Sequence, residues 1–405
     1  MKKILFVTNT LGIGGAEKSL IELLRHLDGS EYSIDLYVLL GRGELMKRVP
    51  EHVRLLNRKV DGGSVLDSAG RWALTKIVFA DFFRGGAYAE KLGSILRGLW
   101  PMLKKRRIQI DKLLWYTVSA GVQRLDEEYD VALAWLEGGA AYFAAKYVRA
   151  KKKLAVIHID YECSGYTRSL DQDCWAQFER IFTVSEETRA SFLRVYPEYA
   201  EKLSILPNLI NQEEIRRRAL EAEGFSDGYS GVRLLTVGRL TYQKALDISI
   251  DAMKLLLDAG YKARWYVLGE GIARERLQKK ITALGLSKDF LLLGTVENPY
   301  PYYVQADIFI HATRFEGRSV AVQEAQTLGC AVIVSDTAGN HQQVSHNKDG
   351  LLCALDPKDI AVSIALLISD SEKRKRLGDT AMAKKMPTSQ DIGELLELLN
   401  GGDLL

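Results

Sequence analysis

Short apolar runs alternate with longer segments of helical period along most of this 405-residue chain. Runs nearly continuous in Val, Ile and Leu fall at Ile4–Val7, Ile34–Leu40, Val53–Leu56, Val131–Trp135, Leu154–Ile159 and Ile181–Val184. In the second half they recur at Arg233–Val237, Arg264–Leu268, Phe290–Leu293, Ile308–His311, Ala331–Val334 and Leu351–Cys353. A strand covered on both faces requires such a run, whereas a strand with one wet face alternates. Between them, Glu17–Leu27, Ala245–Ala259 and Val320–Leu328 carry apolar residues at the spacing of amphipathic helices. This alternation predicts an α/β protein with doubly wound parallel sheets.

Two sheets of six strands suit the length better than one of twelve, because single cores stop growing at roughly 250–300 residues. The break falls at Leu206-Pro207-Asn208, after which a polar stretch from Asn211 to Tyr229 leads into the strand at Arg233. The expected organisation is a Rossmann-like domain over residues 1–210, a second over 211–385, and a closing segment over 386–405. The helix in that segment, from about Pro387 to Leu396, is expected to pack back on the first domain. Where two wound domains face each other, the cleft at the carboxyl ends of their strands is the expected ligand site.

Composition narrows the picture. With 47% hydrophobic and 26% charged residues the chain reads as a soluble globular protein. The net charge of +3 conceals a basic stretch, since residues 71–124 hold 11 basic and 3 acidic side chains. Cys163, Cys174, Cys330 and Cys353 show no paired spacing and read as buried thiols rather than a disulfide frame or zinc site. Ile4–Val7 is too short for a secretory signal, and no run reaches the ~18 apolar residues that span a bilayer. The expected location is the cytoplasm.

The most specific chemical signal is Thr313-Arg314-Phe315-Glu316-Gly317-Arg318-Ser319-Val320-Ala321-Val322-Gln323-Glu324-Ala325. It follows a buried run and opens a helix, so the N–H groups of Gly317, Arg318, Ser319 and Val320 would form an anion site at a helix start. Glu316 lies in the turn and Glu324 one turn into the helix, expected at one pocket edge. A carboxylate accepts paired hydrogen bonds from vicinal hydroxyls, as a ribose or pyranose offers them; the plainer alternative is a solvated pair of glutamates. A second set is Gly238-Arg239 with Lys244, where a tight turn, a guanidinium fork and a point charge together suit a diphosphate. Gly12, Gly14 and Gly15 form a glycine-rich turn after the first strand, a feature shared with dinucleotide-binding folds.

Three further features carry two readings each. His158 is either a satisfied core histidine or a site group at the end of a strand. Asp171-Gln172-Asp173 looks like a metal-binding pair, but a helix cap accounts for it better. Lys104-Lys105-Arg106-Arg107 is a solvated turn or, with Trp72, Phe79, Phe82, Phe83, Tyr88, Trp100 and Trp115 around it, a surface for an anionic membrane.

These residues bear a resemblance. From Met1 to about residue 380 the chain resembles family 4 glycosyltransferases of the GT-B fold, among them builders of bacterial surface polysaccharides. The matching elements run in order: Gly14-Gly15-Ala16-Glu17, His158, Val184-Ser185-Glu186, Leu206-Pro207-Asn208, Gly238-Arg239 with Lys244, Leu268-Gly269-Glu270-Gly271, and Glu316 with Glu324. The resemblance implies retaining, metal-independent transfer from a UDP- or GDP-sugar to a glycan or polyprenyl-linked acceptor, with no cofactor. It implies that Glu324 holds the ribose, Glu316 the sugar ring, and Arg239 and Lys244 the diphosphate. Gly14, Gly15 and Gly238 would approach the donor, His158 would contact its sugar, and the base would stack near Thr295 and Val296. Ala245 stands where the family usually has Gly, Asn208-Leu209-Ile210-Asn211 replaces Asn-Gly-Val-Asp, and Arg318 replaces an aromatic; these departures bear on donor identity. The rivals are a non-catalytic GT-B module and a nicotinamide-dependent oxidoreductase. Nothing resembles a nucleic-acid readout motif.

Overall fold

In the computed structural model thirteen strands fall into two parallel sheets, and the described residues are 1–402 apart from Gly85, Ala87 and 105–109. The chain divides into two units, Met1–Leu209 with Pro387–Leu405, and Ile210–Met386.

The first unit holds β1 (Lys2–Thr8), β2 (Tyr32–Val38), β3 (Val53–Leu55), β4 (Glu128–Ala134), β5 (Arg149–Ile157), β6 (Arg180–Thr183) and β7 (Leu203–Ile205), in the order β3-β2-β1-β4-β5-β6-β7. The sheet therefore has seven strands where six were expected. β7 is three residues ending just before Leu206-Pro207, too short to show a pattern. Strand pleating explains the continuous apolar runs. In β1, Leu5 and Val7 point into one core and Ile4 and Phe6 into the other, on opposite faces of the sheet. The closing segment is a tight turn at Ser389–Ile392 and a helix over Gly393–Leu399, displaced a few residues from the pattern-based range. Leu395, Leu398 and Leu399 enter the same core as Ile4 and Phe6, and Tyr32 Oη donates to Asn400 Oδ1 at 2.7 Å.

Between β3 and β4 the chain forms three helices, α2 (Ser68–Phe83), α3 (Tyr88–Lys104) and α4 (Ile110–Gly121), after α1 (Gly15–His26) between β1 and β2. Of the basic run, Lys105, Arg106 and Arg107 lie outside the described residues. Of the pair Asp171 and Asp173, Asp173 holds the N-cap position of the short turn Cys174–Gln177, but its side chain makes no capping bond. Thr167 caps the short helix Arg168–Asp171, while Asp171 is buried and accepts from the hydroxyls of Tyr142, Tyr161 and Tyr196 at 2.8, 2.7 and 2.6 Å.

The second unit holds β8 (Val232–Val237), β9 (Ala263–Leu268), β10 (Phe290–Gly294), β11 (Ile308–His311), β12 (Ala331–Ser335) and β13 (Leu351–Cys353), in the order β10-β9-β8-β11-β12-β13. Six strands occur where six were expected. Trp265 and Val267 face one core and Tyr266 and Leu268 the other, the same two-sided burial as in the first unit. Chain order reverses between β8 and β11, so the loops leaving their carboxyl ends diverge and open a crevice there.

Candidate functional site

The crevice of the second unit gathers most of the charged residues singled out above. Gly238 and Arg239 leave β8, and a single turn over Tyr242–Lys244 follows. His311 ends β11, and Thr313–Glu316 leave it. Gln243 ties the two loops: its carbonyl accepts from Arg314 N at 2.8 Å and Thr313 Oγ1 at 3.0 Å, and its Nε2 donates to the Phe315 carbonyl at 3.0 Å. Arg314 also holds Asp247 through two nitrogens, at 3.0 and 2.7 Å. On the far side, Ser335 Oγ accepts from Thr313 N at 2.9 Å and donates to its carbonyl at 2.8 Å.

Glycines set how closely these loops pack. A β-carbon on Gly269, whose φ is +144°, would lie 2.0 Å from the Gly238 carbonyl oxygen; one on Gly339 would lie 2.3 Å from that of Glu316. The Gly-Glu-Gly element after β9 thus supports the turn that carries Arg239, and Gly339 supports the turn that carries Glu316.

At the centre, Lys244 Nζ pairs with Glu316 Oε2, and His311 Nε2 lies 3.0 Å from the same oxygen. The side chains of Lys244 and Glu316 are 14% and 11% exposed, and that of His311 is 1% exposed. Burial opposes the charged form of Glu316, but the Lys244 ammonium and His311 outweigh it and hold the carboxyl well below its usual range. Burial, together with repulsion from Lys244, lowers the His311 value. A neutral His311 meets a carboxylate only as the Nε2–H tautomer, so it donates to Glu316. His311 was missing from the candidate set. Its signal was a histidine ending an apolar run five residues before Glu316, the feature that singled out His158.

Arg239 is exposed and has no ion-pair partner among the described residues. Ala245 follows Lys244 with φ +44°, a left-handed conformation that glycine adopts freely.

The start of the helix Val320–Thr327 differs from the open anion cradle expected there. The buried Gln343 side chain accepts from Ser319 N at 2.7 Å and donates to its carbonyl at 2.9 Å, and Ser319 Oγ caps Val322 N. Gly317 and Val320 are buried and Arg318 half-buried. The two glutamates have different partners. Glu324 is 1% exposed, and its oxygens accept from Tyr300 Oη at 3.2 Å and Tyr303 Oη at 3.1 Å. Each of those oxygens has a further acceptor position beyond its tyrosine. Thr295, exposed, and Val296, half-buried, follow β10 at the same end of the sheet.

The remaining candidates lie in the first unit. Gly14 precedes α1 and Gly15 begins it, where β1 and β4 diverge. His158 follows β5, with its backbone N–H donating to Glu137 Oε2 at 3.1 Å and its ring 5.2 Å from that of Trp135. Burial pushes its imidazole down to about 3, with the Trp135 backbone and the Asn208 side chain opposing the shift. It is therefore neutral near pH 7, able to form hydrogen bonds but not to supply a cation.

Residues 230–384 match the family model described as Glycosyl transferases group 1. The chain is 30% identical, over 45% of its length and 49% of the relative's, to the N-acetylgalactosamine-N,N'-diacetylbacillosaminyl-diphospho-undecaprenol 4-alpha-N-acetylgalactosaminyltransferase of Campylobacter jejuni. It is 29% identical, over 94% and 93%, to the GalNAc-alpha-(1->4)-GalNAc-alpha-(1->3)-diNAcBac-PP-undecaprenol alpha-1,4-N-acetyl-D-galactosaminyltransferase of the same organism. Across several curated relatives the chain spans about half the relative's length or less. Among solved structures it is similar to Anabaena Alr3699/HepE in complex with UDP-glucose, with TM-score 0.67 at 15% identity over 99% and 100% of the two chains. At that identity the likeness speaks for the fold, and the fold class is GT-B.

Proposed function

We propose that this protein transfers a sugar from a nucleotide-sugar to a polyprenyl-linked glycan, a reading supported by the match of residues 230–384 to the model described as Glycosyl transferases group 1. The observation that carries the reading is the crevice between β8 and β11, where Lys244, His311 and Glu316 meet at a topological switch point and Arg239 leaves β8 at the same end of the sheet. The diphosphate lies against Arg239, which is exposed and has no competing carboxylate among the described residues, and against Lys244. These two cations neutralise the charge that develops on the leaving nucleoside diphosphate, so the reaction proceeds without a divalent metal. Donor phosphate competes with Glu316 for the Lys244 ammonium. As Lys244 turns to the phosphate, the Glu316 carboxylate, still held by His311, is freed to accept from sugar hydroxyls.

UDP-sugars are the proposed donor class, supported by the UDP-glucose bound in the HepE structure. The acceptor follows the undecaprenol-linked glycans named for the two Campylobacter relatives. Gly14, Gly15 and the neutral His158 are assigned to sugar and phosphate contacts in the first unit, and Thr295 and Val296 to the base. Transfer is proposed to retain the anomeric configuration, and the protein to work peripherally at the cytoplasmic face of an anionic membrane. A transfer assay in EDTA with UDP-GalNAc, UDP-glucose and an undecaprenyl-diphosphate glycan tests this. An α-linked product from an α-donor, read from the anomeric proton coupling, is expected; an inverted product would overturn retention, and a strict need for manganese would overturn the metal-free step.

A further inference from the structure

The pair of helices α2 and α3 is apolar on two faces: Leu74, Ile77 and Val78 of α2 pack inward against the core of the first unit, and Met102 and Leu99 of α3 pack inward beside Leu113 and Leu170. Buried polar groups lie among them: Asp81, Ser94 and Lys91, whose ammonium donates to the carbonyls of Asp81, Phe82 and Arg84 at 2.9, 3.0 and 2.6 Å and so closes the end of α2. On their outer faces lie the large apolar side chains. In α2, Trp72, Phe79 and Phe83 fall at i, i+7 and i+11, a single stripe, with Lys76 on the same stripe and its Nζ 3.4 Å above the Trp72 ring. In α3, Leu92, Leu96 and Trp100 fall at i, i+4 and i+8. All six apolar side chains are between 52% and 75% exposed. A soluble surface helix with its core-facing side filled keeps the opposite side polar; here two neighbouring helices carry a second apolar stripe outward.

We propose that the outer face of α2 and α3 is a docking surface for an anionic lipid bilayer. Charge favours this occupant over a second copy of the chain. Residues 71–124 carry a balance of +8, and Lys76, Arg84 and Arg97 are exposed on these same helices. Two such faces meeting would set like charges together, whereas acidic headgroups complement them. Among the described residues no helix is long and apolar enough to cross a membrane. The helices therefore lie in the plane of the interface, rings among the acyl boundary and cations at the phosphates. The choice of a bilayer over a protein partner rests also on the polyprenyl-linked acceptor proposed above.

Flotation with phosphatidylcholine vesicles and with vesicles containing phosphatidylglycerol tests the surface, using the whole chain, Phe79→Ser/Trp100→Ser and Lys76→Glu/Arg97→Glu. The wild type is expected to float with the anionic vesicles at low salt and to lose binding as salt rises. Each double variant is expected to bind at least about tenfold more weakly, with an unchanged unfolding temperature because the altered side chains are exposed. A wild type that ignores anionic vesicles, binds neutral ones equally, or is matched by both variants overturns the proposal. A dimer in solution that the serine substitutions dissociate also overturns it, in favour of self-association. UDP binding, measured in parallel, separates the two readings: its loss in the wild type would strike the proposed function, whereas lost flotation with intact UDP binding strikes this surface alone.

Discussion

Lys244→Met removes an ammonium from the ion cluster while keeping most of the side chain's volume. Glu316, 11% exposed, is left with His311 as its remaining partner at 3.0 Å. Taking one member from a buried ion pair costs about 3–5 kcal/mol. Two features reduce that figure here. Both members of the pair keep some contact with water, and His311, relieved of repulsion from Lys244, accepts a proton more readily. A loss of about 2–3 kcal/mol is therefore expected. Lys244→Met/Glu316→Gln leaves no uncompensated charge and should recover most of it, giving a coupling energy of about 1–3 kcal/mol between the two sites. Urea unfolding of the wild type, both single variants and the double variant measures this coupling. Turnover should follow a different pattern, falling by roughly a hundredfold or more in Lys244→Met and staying low in the double variant. The carboxyl is held below its usual value in the fold, so its share of stability is complete above about pH 4.5 and is lost as pH falls. A coupling energy below about 0.5 kcal/mol, the level of independent sites, would refute the argument.

Arg239→Ala should leave stability within about 0.5 kcal/mol, since the side chain is exposed and unpaired among the described residues, yet weaken UDP binding by roughly ten- to a hundredfold; calorimetric titration and thermal unfolding report the two effects separately. At Ala245, substitution by Gly relieves a left-handed backbone but gives up a buried methyl, terms of about 1 kcal/mol each, so stability should stay within about 1 kcal/mol. Ala245→Val should instead cost several times that, and equal unfolding temperatures for the two variants would contradict the conformational argument. His158 is held down to about 3, so the unfolded chain binds a proton there below about pH 6.5 that the fold refuses. Stability should fall as pH drops from about 6.5 toward 3, by at most about 1.4 kcal/mol per unit from this group, and His158→Gln should flatten that slope in unfolding scans. Glu324→Ala removes the carboxylate that accepts from two buried phenol hydroxyls, while Tyr303 keeps the Ala321 carbonyl at 3.4 Å, and should cost about 1–3 kcal/mol in all, read by urea unfolding.

The sheets were legible because strands covered on both faces write themselves as continuous Val, Ile and Leu runs, and the bounds of Ile308–His311 and Leu351–Cys353 came out residue for residue. β7 escaped because three residues before a proline carry no period. The charged residues of the second unit were legible from motif spacing, but their partners were not. That His311 donates to Glu316, or that Gln343 occupies Ser319 N, depends on register between β11, β12 and the loops beyond them, which sequence separation hides. The spacing of Glu316 and Glu324 shows in the sequence, but the partners of Glu324, the hydroxyls of Tyr300 and Tyr303, come from a helix some twenty residues upstream and do not. The aromatics of residues 71–124 divide: Tyr116 and Trp115 join the core, whereas Trp72, Phe79, Phe83 and Trp100 face outward because Leu74, Ile77, Val78, Leu99 and Met102 already fill the inner sides of their helices.

The central claim is that Arg239 and Lys244 hold a nucleoside diphosphate at the β8–β11 crevice without a metal. Calorimetric titration of the wild type and Arg239→Ala with UDP in EDTA addresses it directly. The account predicts saturable binding to the wild type in EDTA and affinity at least about tenfold weaker in the variant. Binding that appears only with added magnesium or manganese, or that Arg239→Ala leaves unchanged, would contradict it.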